Sequence, residues 1–558
     1  MQKGRMEMSS FTSKPVSRVI ISLILTAIAG ALYFYVELPA LNLHSMELYF
    51  FIIGLCIVFS VCLVLLGSAK AFFSNQPGDM FKYYAKKLPV PLAIIALALV
   101  VILVGNLAGA EIFRANAYAK LINVETGDFA SEVTEINWDQ IPMLDDTSAN
   151  NLANRKLGEL SDLVSQFTVS GSSAQINYQN SPVRVTYLNY SNFFKWFNNK
   201  AQGIPAYMTI DMRTQEVNVV RVAEGIHYSP SEYFGNDLMR HLRFQYPTFI
   251  FEDVNFEIDE EGTPYWIASV VTRTIGLFGG TDVKGAVMMN AVTGECTYAD
   301  VADIPSWVDR VYPTSLLIAQ YDYRGLYTNG FFNALFSQSG CTETTDGYNY
   351  IALDDDVWMY TGITSVTSDE GNIGFILVNQ RTKEARYYSC AGAEEYSAMS
   401  SAMGAVQQYG YQATFPLLLN VSDQPTYFMA LKDGAGLVKM YAMVNVQQYQ
   451  IVATGYTLKE CQSNYYDLLM NNNLIDGETA VVPSNVEIIV GAIEEIRSAT
   501  IDGNTIFYLL MEHDDVYYTV SAKEYPIAVI LNVGDWVTME YVSTENSPLA
   551  EVVSLEIK

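Results

Sequence analysis

The sequence predicts a membrane-anchored α+β protein. It would have three N-terminal transmembrane helices, tandem units that each lay a helix on an antiparallel sheet, and a C-terminal five-stranded β-barrel. Three observations carry this. Long apolar runs fall within the first 110 of 558 residues, and no fourth follows. A short corner pattern recurs three times in the middle of the chain. From residue 478 onward the residues alternate as strands do.

The apolar runs are Val19–Val36, Leu48–Gly67 and Val90–Ala110. Each nears or reaches the ~20 residues that cross about 30 Å of hydrocarbon. None holds a Lys or Arg, which mid-bilayer burial would penalise. They are apolar on every face, unlike surface helices of a soluble domain. The first is longer than a signal-peptide core and a second follows it closely, which argues against a cleaved leader. Lys3, Arg5, Lys14 and Arg18 occupy the N-terminal tail, and Lys70, Lys82, Lys86 and Lys87 the second loop. The first loop has no Lys or Arg, with Glu37 and Glu47 at its ends. Basic short loops stay cytoplasmic. The expected arrangement is a multi-pass protein of the cell membrane, with its N-terminus cytoplasmic and residues 111–558 extracytoplasmic. Residues 19–110 would contact the lipid bilayer. The spans carry no charge, so a conducting role has no residue to perform it.

Net charge sharpens the contrast between anchor and body. Of 32 Lys+Arg and 60 Asp+Glu, residues 1–110 hold 8 and 4, leaving 24 against 56 beyond them, a net of −32. Such a body is repelled by phosphate backbones, so nucleic acid is not an expected partner. Abundant Tyr, Val, Ile and Phe favour strands. Cys56 and Cys62 lie in the second span. Cys296, Cys341, Cys390 and Cys461 lie on the side where disulfides persist, and four cysteines allow three pairings that spacing does not choose between.

Glu111–Val124 continues the third span as a short stalk. Leu152, Leu157, Leu160, Leu163 and Val164 recur at helical spacing, predicting an amphipathic helix within Asp145–Phe167. The corners then follow: Asp211-Thr214-Glu216, Asn290-Thr293-Glu295 and Asn379-Thr382-Glu384. Asp or Asn caps a hairpin turn through its side chain, and Thr and Glu begin the return strand. Tyr441–Val452 is a fourth, degenerate strand pair. A helix is expected over Ser229–Phe244, opened by a capping box of Ser229 and Glu232 with Pro230 at its first position. Another is expected over Ala393–Gln408. Aromatic strand entries follow both, at Gln245–Phe251 and Gln412–Leu419, and then second strands at Thr263–Val270 and Gln424–Leu431. Gly347–Asp354 resembles the latter. The implied segmentation is an anchor (1–110), a stalk with its helix (111–170), three α+β units (171–270, 271–365 and 366–475) and a barrel (478–558).

The corner order resembles the PepSY-like extracytoplasmic domains, marked by a Val-Asp-x-x-Thr-Gly-Glu corner on a sheet against a helix. Asn290-Ala-Val-Thr-Gly-Glu295 matches best, and Gln215 and Lys383 replace the Gly elsewhere. The resemblance implies binding or inhibitory modules without a catalytic set. In the C-terminal segment, strands are expected at Val486–Ile496, Thr505–Glu512, Val516–Val520, Trp536–Val542 and Val552–Ile557, with a short helix over Pro526–Val533. That order resembles an OB-fold barrel. Glu478–Lys558 has only Arg497, Lys523 and Lys558 against fourteen acidic residues, so a strand-binding groove is not expected.

No HExxH, CxxC, GxSxG or phosphate-loop motif occurs. The body's histidines are His227, His241 and His513. His227, His241, Arg240, Trp266 and Asp355 form the candidate cleft, with Asp355 inside the carboxylate run Asp354-Asp355-Asp356. That run lacks the alternating ligands and Gly turn of a Ca²⁺ loop. Gly279-Gly280-Thr281-Asp282 reads as a flexible turn. Asn189-Tyr-Ser191 and Asn420-Val-Ser422 fit the glycosylation pattern. No cofactor, metal or catalytic set is expected. The expected role is non-enzymatic: tandem modules presented to an extracytoplasmic protein or wall polymer, with homo-oligomerisation left open. A ligand-sensing or hydrolytic cleft between units is the alternative.

Overall fold

The computed structural model describes residues 15–74, 87–133, 141–179, 181–353, 356–475, 486–501, 504–512, 514, 516–523, 525–543 and 549–557. The chain forms two compact units, Met1–Leu468 and Leu469–Lys558.

Three helices open the first unit: α1 (Pro15–Glu37), α2 (Met46–Ser74) and α3 (Pro89–Gly109). Each is long and apolar enough to cross a membrane, with mean hydropathy of 2.3, 2.9 and 2.7 over the candidate spans. Tyr33 of α1 stacks on Phe51 of α2 at 5.5 Å.

The third helix does not run on as a stalk. Ala110 is extended (φ −65°, ψ 140°), and a separate helix α4 (Glu111–Tyr118) follows. The Tyr118 hydroxyl reaches back to the Gly109 carbonyl at 2.8 Å, and its ring meets Tyr323 at 4.7 Å. Residues beyond α3 are therefore part of the folded body. Strand β1 (Glu125–Gly127) even joins a sheet, pairing in parallel with residues 386–388.

Four sheets follow, antiparallel but for the β1 edge of the third, where the sequence implies three units. The first contains helix α5 (Asp146–Glu159) and strands β2 (Phe167–Val169), β3 (Ala174–Tyr178), β4 (Ser181–Tyr190), β5 (Ile204–Asp211) and β6 (Val217–Ile226), with helix α6 (Phe193–Asn199) between β4 and β5. The second contains α7 (Leu238–Gln245) and strands β7 (Ile250–Ile258), β8 (Pro264–Ile275), β9 (Gly279–Asn290) and β10 (Cys296–Asp300).

The third has α8 (Thr314–Tyr327) and strands β11 (Thr342–Thr344), β12 (Asn349–Leu353), β13 (Asp356–Ser365), β14 (Ser368–Asn379) and β15 (Ala385–Ala393). The fourth has α9 (Glu395–Ala405) and strands β16 (Gln412–Ala413), β17 (Leu417–Val421), β18 (Gln424–Lys432), β19 (Val438–Asn445) and β20 (Val452–Gly455), and helix α10 (Leu458–Asn471) follows it.

The helix therefore precedes its sheet, and each corner closes the unit rather than opening it. The boundaries at 270, 365 and 475 give way to sheets over residues 167–226, 250–300, 342–393 and 412–455. Tyr441–Val452 falls in the last of these, in hairpin β19–β20.

Period-two alternation in β8 explains how sheets stack. Trp266, Ala268 and Val270 face a core shared with Val185, Leu188 and Tyr207 of the first sheet. Ile267 and Val271 face the opposite core, with Met359, Ile376 and Val378 of the third sheet and Leu317 of α8. Further on, Phe375 of the third sheet meets Tyr427 of the fourth at 5.9 Å. The centre of the second sheet is buried on both faces, which accounts for the apolar runs in β8 and at the end of β9.

The helix expected over Ser229–Phe244 begins only at Leu238, with Asp237 as its N-cap accepting from the Arg240 N–H at 2.9 Å. Glu232 makes no capping box. Its carboxylate is buried and taken by Tyr190 and Trp196.

In the second compact unit, strands β21 (Val486–Ile501), β22 (Asn504–Met511), β23 (Tyr517–Ser521), β24 (Trp536–Ser543) and β25 (Leu549–Ile557) pair in the order β21-β22-β23-β25-β24, and β21 also pairs with β24. The β23–β25 contact is parallel and only three residue pairs long. Ile493, Leu509, Tyr518, Val520, Val537 and Met539 fill the interior. Pro526–Ile530 forms a short 3₁₀ turn before β24.

Candidate functional site

The three corners are built alike. Asp211 Oδ1 accepts from the backbone N–H groups of Arg213 (2.8 Å) and Thr214 (3.1 Å). Asn290 does so from Val292 and Thr293 (both 2.9 Å), and Asn379 from Arg381 (2.8 Å) and Thr382 (2.9 Å). In each, the Thr hydroxyl accepts from the N–H of Glu216, Glu295 or Glu384. The fifth residue is left-handed: Gln215 at φ 63°, Gly294 at 76° and Lys383 at 67°. Asn445 makes the same two-bond cap with Gln447 and Gln448 (3.1 and 2.9 Å), but its loop is longer and the Thr/Glu marks are absent.

A second feature is common to all four units. The residue after the capping Asp or Asn clasps the segment leading into its own helix. Met143 N–H donates to Met212 O (2.8 Å), Tyr228 to Ala291 (3.0 Å), Tyr312 to Gln380 (2.8 Å) and Ala393 to Val446 (2.9 Å). The same four residues donate to the carbonyls of Pro182, Pro264, Val357 and Pro425 at 2.9–3.1 Å. Proline near the start of the second strand in three units is the signal that would have exposed the fourth repeat. Its missing N–H matters little at that strand position.

Each described residue of the candidate cleft contacts a backbone carbonyl. His227 Nε2 lies 3.0 Å from Glu224 O, while His241 Nε2 lies 2.9 Å from Gly294 O with its ring against Tyr228. Trp266 is fully buried, its indole N–H donating to Tyr228 O at 2.8 Å. His241 and Trp266 thus both brace the segment before α7. Arg240 turns elsewhere: Nη1 donates to Phe234 O (2.7 Å) and Nε to Tyr35 O at the end of α1 (3.1 Å). Asp354, Asp355 and His513 lie outside the described residues. Asp356 of the same acidic run is buried and receives a two-bond contact from Arg381 (2.6 and 2.8 Å) and one from Asn379 (2.7 Å).

The body is bonded to the three apolar helices and the loop after α1 at several points that carry no local sequence signal. Arg243 Nε donates to Leu38 O at 2.9 Å, Leu41 N–H to Pro247 O at 2.8 Å and Asn42 to Thr248 O at 2.8 Å. The β8–β9 hairpin tip reaches the helices. Phe278 meets the Tyr49 ring edge-on at 5.6 Å, and His44 Nδ1 lies 2.9 Å from Leu277 O. A Cβ on Gly105 would lie 2.6 Å from Phe278, and one on Gly276 2.8 Å from the Gly109 backbone. The glycines of this turn permit close approach to α3.

One polar cleft, of about 350 Å³, is lined by Tyr190, Ser231, Glu232, Tyr233, Asp237 and Arg240. Glu232 Oε2 accepts from Trp196 Nε1 at 2.6 Å and Oε1 from Tyr190 Oη at 2.9 Å, and burial pushes its pKa up. Both its oxygens are thus occupied.

Glu257 is wholly buried and accepts from the Asp309 and Arg310 N–H groups (2.9 and 3.0 Å), with its pKa pushed by burial up to about 7. Asp309 in turn accepts from Asn177 N–H at 2.7 Å, tying the first sheet to the linker before the third. Among the described residues no His/Cys/Asp/Glu group could hold a metal ion. The six cysteines are free thiols. Asn420 of the glycosylation pattern is buried, its amide bonded to Val133 O at 2.7 Å.

No family model matches the chain, and no curated protein matches it.

Proposed function

We propose that this chain is a non-enzymatic multi-pass protein of the cell envelope. Its basic tail is cytoplasmic and residues 111–558 are extracytoplasmic. Its four-sheet body is a rigid module array offered to an extracytoplasmic protein or wall polymer, in a scaffolding, assembly or inhibitory role. The PepSY-like corners and the OB-like terminal segment fit binding modules. The observation that carries the reading is where the polar groups go. Corner residues, both described body histidines, Trp266 and the buried carboxylates of Glu232, Glu257 and Asp356 are engaged in hydrogen bonds that brace turns, helix approaches and neighbouring segments of the frame. Ion pairs between units add stiffness: Lys383 of the third corner with Asp282 of β9 at 2.7 Å, and Lys432 of β18 with Asp145, the N-cap of α5, at 2.6 Å. A catalyst keeps polar groups converging on a void, and a scaffold consumes them in its frame.

The test is cross-linking of the full-length protein in intact envelopes, followed by affinity purification and mass spectrometry. Reproducible enrichment of one envelope protein or wall fragment is expected, and loss of all enrichment across salt concentrations would count against it. The cleft beside Glu232 favours a second reading, a ligand-sensing body. Small-molecule-dependent protection of Trp196 fluorescence would support that instead.

A further inference from the structure

The geometry points to a two-point seat of the body on the bilayer. Two aromatic clusters flank the outer ends of α1 and α3, and the occupant of both is the headgroup–acyl boundary of the outer leaflet. This rests on reading the three helices as spans with the body outside.

The first cluster is built on α6. Asn192 caps it, accepting from the N–H groups of Phe194 (3.0 Å) and Lys195 (3.2 Å). Trp196 is pinned inward by its bond to Glu232, which leaves Phe194 76% exposed and Phe197 exposed beside it. The Trp196 ring lies 5.8 Å from Phe234, itself 61% exposed. Phe234 leads directly to the anchor. Its carbonyl binds Arg240, which donates to Tyr35 O and stacks 4.3 Å from the Tyr35 ring. On the same helix, Phe244 meets Phe34, inside the first span, at 5.5 Å.

The second cluster flanks the third span. The Tyr327 hydroxyl donates to Glu111, the first residue of α4, at 2.5 Å. From Tyr327 a ladder of rings runs outward through Phe331 (6.0 Å) and Phe332 (5.8 Å) to Phe336 (6.4 Å). Phe336 is 76% exposed and Leu335 lies beside it. Helix α4 adds Ile112 and Phe113, both exposed.

Charge selects lipid over a polar partner. The body carries a large acidic excess, yet residues 191–202 hold Lys195 and Lys200 and no carboxylate, and residues 328–340 hold no charge at all. In the first cluster, rings flanked by Lys195 and Lys200 suit an interface where rings sink and ammonium groups reach phosphates, and the second cluster offers uncharged rings alone. Exposed to water, contiguous rings of this kind are unfavourable, and the hydrocarbon edge of a bilayer removes that cost.

The test uses the full chain in phosphatidylcholine/phosphatidylglycerol nanodiscs. A photoreactive benzoylphenylalanine replaces Phe194, Phe336, Leu103 of α3 or Tyr449 of the fourth unit, one at a time. Lipid adducts are expected at positions 194, 336 and 103 and not at 449. Failure at 103 would overturn the reading of α3 as a span. Success at 103 with no adduct at 194 or at 336 would overturn the seat while leaving the spans intact. A protein adduct at either Phe position, or a lipid adduct of equal yield at 449, would also overturn it.

Discussion

The backbone N–H of Met143 donates to the carbonyl oxygen of Met212 at 2.8 Å, and this bond makes the first unit close upon itself. It joins the approach to α5 with the corner that ends β5. Its counterparts join Tyr228 to Ala291, Tyr312 to Gln380 and Ala393 to Val446. Each repeat is thus a hydrogen-bonded loop of chain rather than a string of neighbours. The corner is its lock, because the capping side chain fixes the orientation of the carbonyl that the clasp uses.

Removing a cap should therefore loosen the helix as well as the turn. Asn290→Ala deletes the acceptor of two backbone N–H groups. A loss of about 1–3 kcal/mol is expected for such bonds in a partly buried corner. Asn290→Asp should retain most stability, since Asp211 fills the equivalent place in the first unit. Thermal unfolding of the detergent-solubilised chain checks this, read by a thiol dye that reports exposure of buried Cys341, Cys390 and Cys461. Equal melting of the Ala and Asp variants would sink the lock.

The fifth corner residue separates backbone strain from packing. Gly294 sits at φ 76°, and a Cβ there would lie 2.3 Å from the Tyr228 ring. Gly294→Ala is expected to destabilise by about 2 kcal/mol or more, from left-handed strain and overpacking together. Gln215→Gly relieves left-handed strain but frees the unfolded chain, so a change within about 1 kcal/mol is expected. The same melting assay reads both. A harmless Gly294→Ala would mean the clasp segment does not pack as described.

How much of this was legible depended on the range of the cause. The Asp211, Asn290 and Asn379 corners are local Asx turns, so residue types within six positions reveal them. Strand alternation and the three apolar helices are equally local. Glu232 misled because Tyr190 and Trp196, far off in sequence, compete for the carboxylate that a capping box would use. Helix α8 was missed because its buried face mixes Leu317 with Gln320, Tyr321 and Tyr327, types that read as strand or surface. The fourth hairpin, Tyr441–Val452, was legible as a degenerate strand pair, but not as the close of a separate unit, because only Asn445 survives of its corner marks. The contacts of Arg240, Arg243 and Phe278 with the anchor had no local signature.

Thiol chemistry offers an independent check of packing. Cys341, Cys390 and Cys461 are buried, and no cysteine is in a disulfide. Burial pushes the Cys390 and Cys461 pKa values up to about 11 and about 12, so almost no thiolate exists at pH 8. Maleimide should label neither in the folded protein within an hour and both after denaturation. Mobility should be identical with and without reductant. Rapid native labelling of Cys461 would contradict its place on the buried face of α10.

A buried carboxyl makes stability depend on pH in a direction opposite to that of a salt-bridged one. Glu395 opens α9 fully buried, against Gly362 and Thr345, and burial pushes its pKa from 4.5 up to about 7. The folded state therefore holds this proton more tightly than the unfolded chain. Its contribution is fully present below pH 4.5 and is lost as pH rises through about 7. The loss amounts to at most about 3 kcal/mol, from 1.36 kcal/mol per pKa unit. Glu395→Gln keeps the shape and removes the ionisation, so it should melt close to the wild type at pH 5 and above it at pH 8. The difference between the two proteins cancels the titration of Glu257, Asp211 and every other shared group. An advantage at pH 5 that vanished at pH 8, or a variant less stable at both, would show that the Glu395 carboxylate is held in its charged form by partners within the fold.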